Sequence, residues 1–407
     1  MESVTTIAAT RLLPSPAGVR SARFRRPPWR RIVLTTVGIA VLLLASTLAS
    51  TIAHLELPAP TGAHAVGKGV AVIEDGGRGE PATADPTDLR RLRLVAWYPA
   101  QPRTGEHAAY VEGLDRIGDA LVASGSVAQL ERMALGFVRT SAQRGAEPAA
   151  ASTGHPVAIL SPGNATNVEF YGALAEELAS HGYVVIGVDH PYQSAAVDIG
   201  DKVATYAGDP PLEQADEVTR ARLAERGADI GFVLDRLTAD GAGFAFLRQE
   251  LDLERVAVIG HSNGGLAAVE MCDDPRVRAC ANIDGQGMAG PFGAGTDPAA
   301  PDKPFLFLTK ETELHPVLAA AFEDGGTGAF RVVVPAAEHD AFTDGPRFRP
   351  RLLPLPGTAE AVMTVSRGFV LAFLDHALRD APRTVFGEVD APTDVYVSVY
   401  PLVRRDR

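Results

Sequence analysis

Arg255-Val-Ala-Val-Ile-Gly-His-Ser-Asn-Gly-Gly265 is the stretch whose reading decides the fold. Its first five residues are β-branched or small and continuously apolar after Arg255, as in a strand buried on both faces. Gly260-His261-Ser262-Asn263-Gly264 then forms G-x-S-x-G, and a helical pattern follows at once. A strand that feeds a sharp turn opening a helix lifts the serine hydroxyl clear of the sheet, and the flanking glycines avoid collisions there. Ser262 is the candidate nucleophile. The alternative, a loop in a glycine-rich chain, lacks a reason for the flanking strand and helix.

Working outward, the same kind of buried strand recurs. Pro156–Ser161, Tyr183–Asp189, Leu251–Ile259, Val277–Ile283, Pro304–Thr309 and Phe330–Val334 are short apolar runs. Helical patterns separate several of them, at 168–181, 212–237, 314–322 and 358–378. Two earlier strands are expected at Val70–Glu74 and Leu92–Tyr98, and a helical insertion over 110–143, divided near Gly125. Buried strands alternating with amphipathic helices predict an α/β fold, a mostly parallel central sheet with helices on both faces. Ligands in such sheets collect at the carboxyl ends of the strands.

A serine hydroxyl needs a histidine to accept its proton, and the histidine needs an acid to fix its tautomer. In chain order the acid and then the histidine should follow the serine, each after a later strand. Asp284 directly follows Val277–Ile283, and His339 sits on the loop after Phe330–Val334. Taken singly, Asp284-Gly285 is an ordinary turn pair and His339 could be a solvated loop residue; their order makes them a triad with Ser262. Rival bases are His190, which precedes the elbow, His261, which cannot turn back on its neighbour's hydroxyl, and His315, inside an expected helix. Asp189 is the reserve acid. The oxyanion donors expected are the backbone N–H groups of Asn263 and Asn164, the latter in the turn after Pro156–Ser161. There is no H-E-x-x-H and no Cys/His cluster, so the reading requires neither metal nor cofactor.

The 407 residues are 46% hydrophobic and 22% charged, a globular composition. The formal charge is -12, and the basic residues concentrate at the start: seven arginines precede Ile32, against Glu2 alone. The remainder is therefore more acidic than the whole, which argues against nucleic acid as a partner. Residues 1–31 are expected to be a disordered cytoplasmic arm. Residues 32–53 carry no charge and are long enough to span a bilayer. With arginines before and none directly after, the segment predicts export, as an uncleaved membrane anchor or a cleaved signal. Arg30-Arg31 adds a faint twin-arginine character. A linker over 54–66, a catalytic domain over 67–380 and an extension over 381–407 complete the expected organisation. Cys272 and Cys280 read most plainly as two small buried residues, with a bridge available if the chain is exported.

Ser161-Pro-Gly-Asn164, Leu174–His190, Asp229–Asp235, Gly-His-Ser-Asn-Gly-Gly265, Asn282-Ile-Asp284, His339-Asp-Ala-Phe342 and Trp97-Tyr98-Pro99 together carry a resemblance. The chain resembles the platelet-activating-factor acetylhydrolases of the plasma and intracellular type II kind, and the dienelactone-hydrolase-related esterases. The likeness runs over about residues 67–380 and implies an α/β-hydrolase fold. It also implies a triad of Ser262, Asp284 and His339, with Asn164 and Asn263 as oxyanion donors. Pro162 stands where the family often has histidine and Asn263 where phenylalanine is common. The function expected is an exported serine ester hydrolase acting on a lipid-like or short-acyl ester and tethered through its N-terminal helix. The alternatives are a polyester or xenobiotic esterase on the same machinery, and a non-catalytic cell-envelope binding module.

Overall fold

The computed structural model describes residues 29, 32–42, 55–102, 106–285, 303–310, 328–335, 337–348, 358–389 and 396–399. Apart from Trp29, the arm expected over 1–31 lies outside the described residues. So do residues 43–53 of the apolar run and the helix expected over 314–322. The apolar helix that is described, Ile32–Leu42, is shorter than a membrane span requires. It belongs to a unit of its own, residues 1–51; the rest of the chain forms the second unit.

In that second unit the strands are β1 (Ala65–Gly79), β2 (Leu89–Ala100), β3 (Gln143–Arg144), β4 (His155–Ser161), β5 (Val184–Asp189), β6 (Ala196–Asp198) and β7 (Val203–Thr205). They continue with β8 (Leu251–His261), β9 (Val277–Ile283), β10 (Phe305–Thr309), β11 (Ala329–Val333) and β12 (Tyr396–Val399). The helices are α1 (Leu114–Ala123), α2 (Gln129–Leu135), α3 (Gly172–Ser180), α4 (Ala215–Asp240), α5 (Asn263–Glu270), α6 (Gly345–Phe348) and α7 (Thr358–Arg379). Among the described residues, ten strands form one sheet in the order β12-β11-β10-β9-β8-β4-β5-β2-β1-β3. From β11 to β5 the strands run parallel. Antiparallel pairs, β11 with β12 on one side and β5 with β2 on the other, flank them.

The parallel strands are buried on both faces, so their sequences show no polar alternation. In β4, Ala158 and Leu160 face the core shared with Leu174 and Leu178 of α3 and Phe369 and Phe373 of α7. Val157 and Ile159 face the opposite core, with Leu223, Ile230 and Val233 of α4 and Leu266 of α5. α7 is apolar and long enough to cross a membrane by composition, but it is a core helix covered by the sheet.

The chain winds from β4 to β5 on one side, then returns through α4 to β8 on the other side of β4. The gap between β4 and β8 is therefore a topological switch point, where a crevice opens beyond the strands' carboxyl ends. The insertion falls near this crevice. Gly125, at φ 77°, ends α1's excursion before α2 begins. Ile117, Leu121 and Leu135 of the insertion pack with Phe170, Phe348, Leu55 and Leu57. The stretch expected as a linker is thus part of the folded unit. Thr61 N–H donates to Glu177 and Gly62 N–H to Ser180 Oγ, each at 3.0 Å.

Candidate active site

Ser262 sits between β8 and α5 at φ 55° and ψ −126°, a strained backbone for a residue with a side chain. The sequence allows it because its neighbours get out of the way. A Cβ on Gly260 would run into the backbone of Gly264, and one on Gly264 into the carbonyl of Ser161 on β4. The Ser262 N–H donates to the carbonyl of Ile283 at 2.9 Å, which pins the elbow to the end of β9.

Asp284 directly follows β9. It is buried, and its Oδ2 accepts a hydrogen bond from His339 Nδ1 at 2.6 Å. Oδ1 accepts from Thr309 Oγ1 at 3.1 Å and from the Lys310 N–H at 3.2 Å. With one carboxylate oxygen spent on the end of β10 and the other on the imidazole, the Asp284 side chain has one orientation. Because a carboxylate accepts, His339 carries its proton on Nδ1, which leaves Nε2 as the unprotonated nitrogen. The His339 side chain is 43% exposed, against 2% for Asp284, so the pair runs from a buried carboxylate to an accessible imidazole.

Two neighbouring histidines are otherwise engaged. His261 Nε2 lies 3.1 Å from the carbonyl of His339, and its Nδ1 lies 2.8 Å from the Tyr171 hydroxyl. A carbonyl can only accept, so Nε2 bears the proton and Tyr171 donates to Nδ1. Burial, and then the nearness of His339, lower His261 to about 3, so it stays neutral. His190 donates through Nδ1 to Asp229 at 2.8 Å and faces Ser161 Oγ through Nε2 at 3.0 Å, wholly buried. His315 lies outside the described residues. Asp189, the reserve acid, is committed elsewhere: Arg93 donates to Oδ2 at 2.7 Å and the Val168 N–H to Oδ1 at 2.8 Å.

The turn after β4 supplies the remaining feature. Gly163 N–H donates to the Tyr171 hydroxyl at 3.1 Å, and Ala165 N–H to the Gln193 carbonyl at 2.9 Å. Asn164 stands between them in the turn. Asn263 is the first residue of α5, where a helix leaves its amide without an internal partner. A cleft of about 270 Å³ opens beside the turn. Asn164, Thr166, Phe170, Phe348 and Asp340 line it, with Val127 and Leu135 from the insertion.

Cys272, in the turn after α5, is joined to Cys280 of β9 by a disulfide, where the plainer expectation is two separate buried thiols. Sequence reasoning does not single out Arg226 or Tyr171, both buried behind the site. The available signal is on α4. Arg226 and Asp229 share a face with Leu223, Ile230 and Val233, so charges stand on the helix's apolar stripe.

Fold and geometry define a class, the α/β-hydrolases with a serine at the nucleophile elbow. Known proteins agree. Residues 49–221 match the family model for platelet-activating factor acetylhydrolase, isoform II. The platelet-activating factor acetylhydrolase of Cavia porcellus is 27% identical over 219 residues, 47% of this chain and 49% of that one. A probable 1-alkyl-2-acetylglycerophosphocholine esterase of Arthroderma benhamiae is 25% identical over 334 residues, 76% of this chain and 81% of that one. The chain thus spans about half the length of the mammalian relative and most of the fungal one. A ferulic acid esterase from Streptomyces cinnamoneus superposes with a TM-score of 0.67 at 30% identity, covering 84% of this chain and 98% of that one. The chain belongs to the esterases of the α/β-hydrolase fold and is similar to the platelet-activating factor acetylhydrolases over part of its length.

Proposed function

We propose that the protein is an exported serine carboxylic-ester hydrolase that works through an acyl-enzyme, with Ser262, His339 and Asp284 as its triad. The observation that carries this reading is the 2.6 Å bond between His339 and Asp284 at the strand ends beside the serine elbow. His339 Nε2 takes the Ser262 proton as the hydroxyl attacks the ester carbonyl. Asp284 stabilises the imidazolium that forms, and the amides of Asn164 and Asn263 receive the oxyanion. Collapse of the intermediate expels the alcohol, which His339 protonates. Water then enters by the same route and releases the acid.

The cleft of about 270 Å³ beside Asn164 falls just below the usual size of ligand pockets, which supports a short acyl group of a lipid-like ester over a long one. A second reading has one observation in its favour. Phe170 and Phe348 give the cleft an aromatic lining, and the Streptomyces relative is a ferulic acid esterase, so a small aromatic acyl group is the competing substrate class. Export is supported by the arginine block ahead of an apolar segment and by the Cys272–Cys280 bridge, a bond of oxidising compartments.

A fluorophosphonate probe should label the wild type and not Ser262→Ala; absence of wild-type labelling sinks the reading. Turnover of p-nitrophenyl esters graded by chain length, run beside a short-acyl phospholipid and a feruloyl ester, separates the two substrate classes. Fractionation of expressing cells tests export, since the enzyme should be recovered outside the cytoplasm.

A further inference from the structure

The turn that carries Asn164 rests on a buried cation. Arg226 of α4 is wholly buried and reaches across to the residues that follow β4. Its Nη1 donates to the Pro162 carbonyl at 2.6 Å and to Ser161 Oγ at 3.2 Å. Its Nη2 donates to Asn164 Oδ1 at 3.1 Å and its Nε to Gln193 Oε1 at 2.8 Å. All four acceptors are neutral oxygens. Among the described residues no carboxylate is in ion-pair contact with this guanidinium, and Asp229 and Glu225 of the same helix attract it only from farther off, whereas buried Arg90 and Arg93 are each paired directly with carboxylates.

Burying a charge that no carboxylate contacts is costly, so a chain that keeps one has its dipoles arranged around it. The donors here run in one direction. Ser161 accepts from Arg226 and, since His190 gives its own proton to Asp229, donates to His190 Nε2. On the other branch, Arg226 polarises the peptide whose N–H, that of Gly163, donates to Tyr171, which donates to His261, which donates to the carbonyl of His339. One cation thus anchors a hydrogen-bonded line from the oxyanion turn to the loop of the base. Burial lowers Arg226 to about 10, which leaves it charged at neutral pH.

We propose that Arg226 is a positioning residue for the oxyanion turn, and that its unpaired charge, set behind Asn164, strengthens that turn's hold on the negative intermediate. The proposal rests on the ester-hydrolase reading above. A charge so placed acts on the oxyanion and little on the neutral ester, so it belongs in kcat rather than KM.

The experiment compares wild type, Arg226→Met and Arg226→Lys in ester turnover and in inhibition by a short-chain trifluoromethyl ketone. Serine adds to that ketone to give a tetrahedral oxyanion that remains bound. Arg226→Met should lose about 10- to 100-fold in kcat, less than deletion of a direct donor, with KM within about twofold. Its affinity for the ketone should fall in parallel. Arg226→Lys, which keeps the charge and loses the fork, should fall between the two. If Arg226→Met fails to fold, Arg226→Lys reads the same pair of quantities. Lost ketone affinity at unchanged KM supports the proposal; unchanged ketone affinity overturns it. A wild type that takes no fluorophosphonate at Ser262 overturns the ester-hydrolase reading and this proposal together. A labelled, active wild type beside a folded variant of undiminished ketone affinity overturns the role of Arg226 alone.

Discussion

At the scale of single residues, the chemistry of the candidate site constrains where its members can stand. Asp284 has both oxygens engaged, one by the end of β10 and one by His339, so its exchange for asparagine changes charge while leaving size alone. The amide would keep a partner for the imidazole but favour the wrong tautomer, with Nε2 protonated. Asp284→Asn should therefore lower kcat by about 10³- to 10⁴-fold at nearly unchanged stability, as measured by ester hydrolysis beside thermal melting. The pairing of Asp284 with His339, and the elbow at Ser262, are legible in the sequence because each residue follows an apolar run that ends at the same edge of the sheet. Arg226 and Tyr171 are not. Arg226 meets Pro162 at a separation of 64 positions and Tyr171 meets His261 at 90, distances at which sequence has no periodic signal.

Among the elements, legibility follows length and burial. β4, β5, β8 and β9 can be read nearly to their ends, because strands covered on both faces must be continuously apolar. The hairpin of β6 and β7 is indistinguishable in sequence from a polar loop. Its strands are only three residues each, too short to show a period. β12 falls in the expected C-terminal extension, yet it pairs with β11 at the sheet's edge. The elbow itself gives the prediction at this scale. Gly264 lies against the carbonyl of Ser161, so a methyl group there must push α5 away from β4. Gly264→Ala should cost about 1–3 kcal/mol as an overpacking substitution, and it should lower kcat because Asn263 and Ser262 move with the helix. Urea unfolding and turnover measured on one preparation check both parts; a variant as stable and active as the parent would show that the turn is looser than its contacts imply.

For the whole molecule, pH acts through buried histidines. Burial, and then Arg226, lower His190 to about 4, and His261 is lowered to about 3. The unfolded chain protonates both near their ordinary value of about 6.5, which the native state resists. Their contribution to stability is thus complete above about 6.5 and is lost as pH falls toward 4 and 3. Asp344 and Glu176, raised by burial to about 7, work the other way, losing stability as pH rises through that value. The informative quantity is therefore a difference. Between about pH 7.5 and pH 5, His190→Gln should lose less unfolding free energy than the wild type, as read by chemical denaturation at each pH.

The Cys272–Cys280 bond acts on a larger scale than its few residues suggest. α5 begins just after Ser262 and leads into the turn of Cys272; β9 carries Cys280 and leads into Asp284. Helix and strand are thus the two arms of a compass, with serine at one tip, the acid at the other and a covalent rivet at the pivot. Opening that rivet should cost roughly 2–3 kcal/mol of stability, while the Ser262–Ile283 bond and the β8–β9 pairing still hold the two tips together. Wild type treated with dithiothreitol, or Cys272→Ser with Cys280→Ser, should therefore unfold at a lower urea concentration while the folded enzyme keeps its turnover. A protein built this way would keep its full stability only where its surroundings keep the rivet closed.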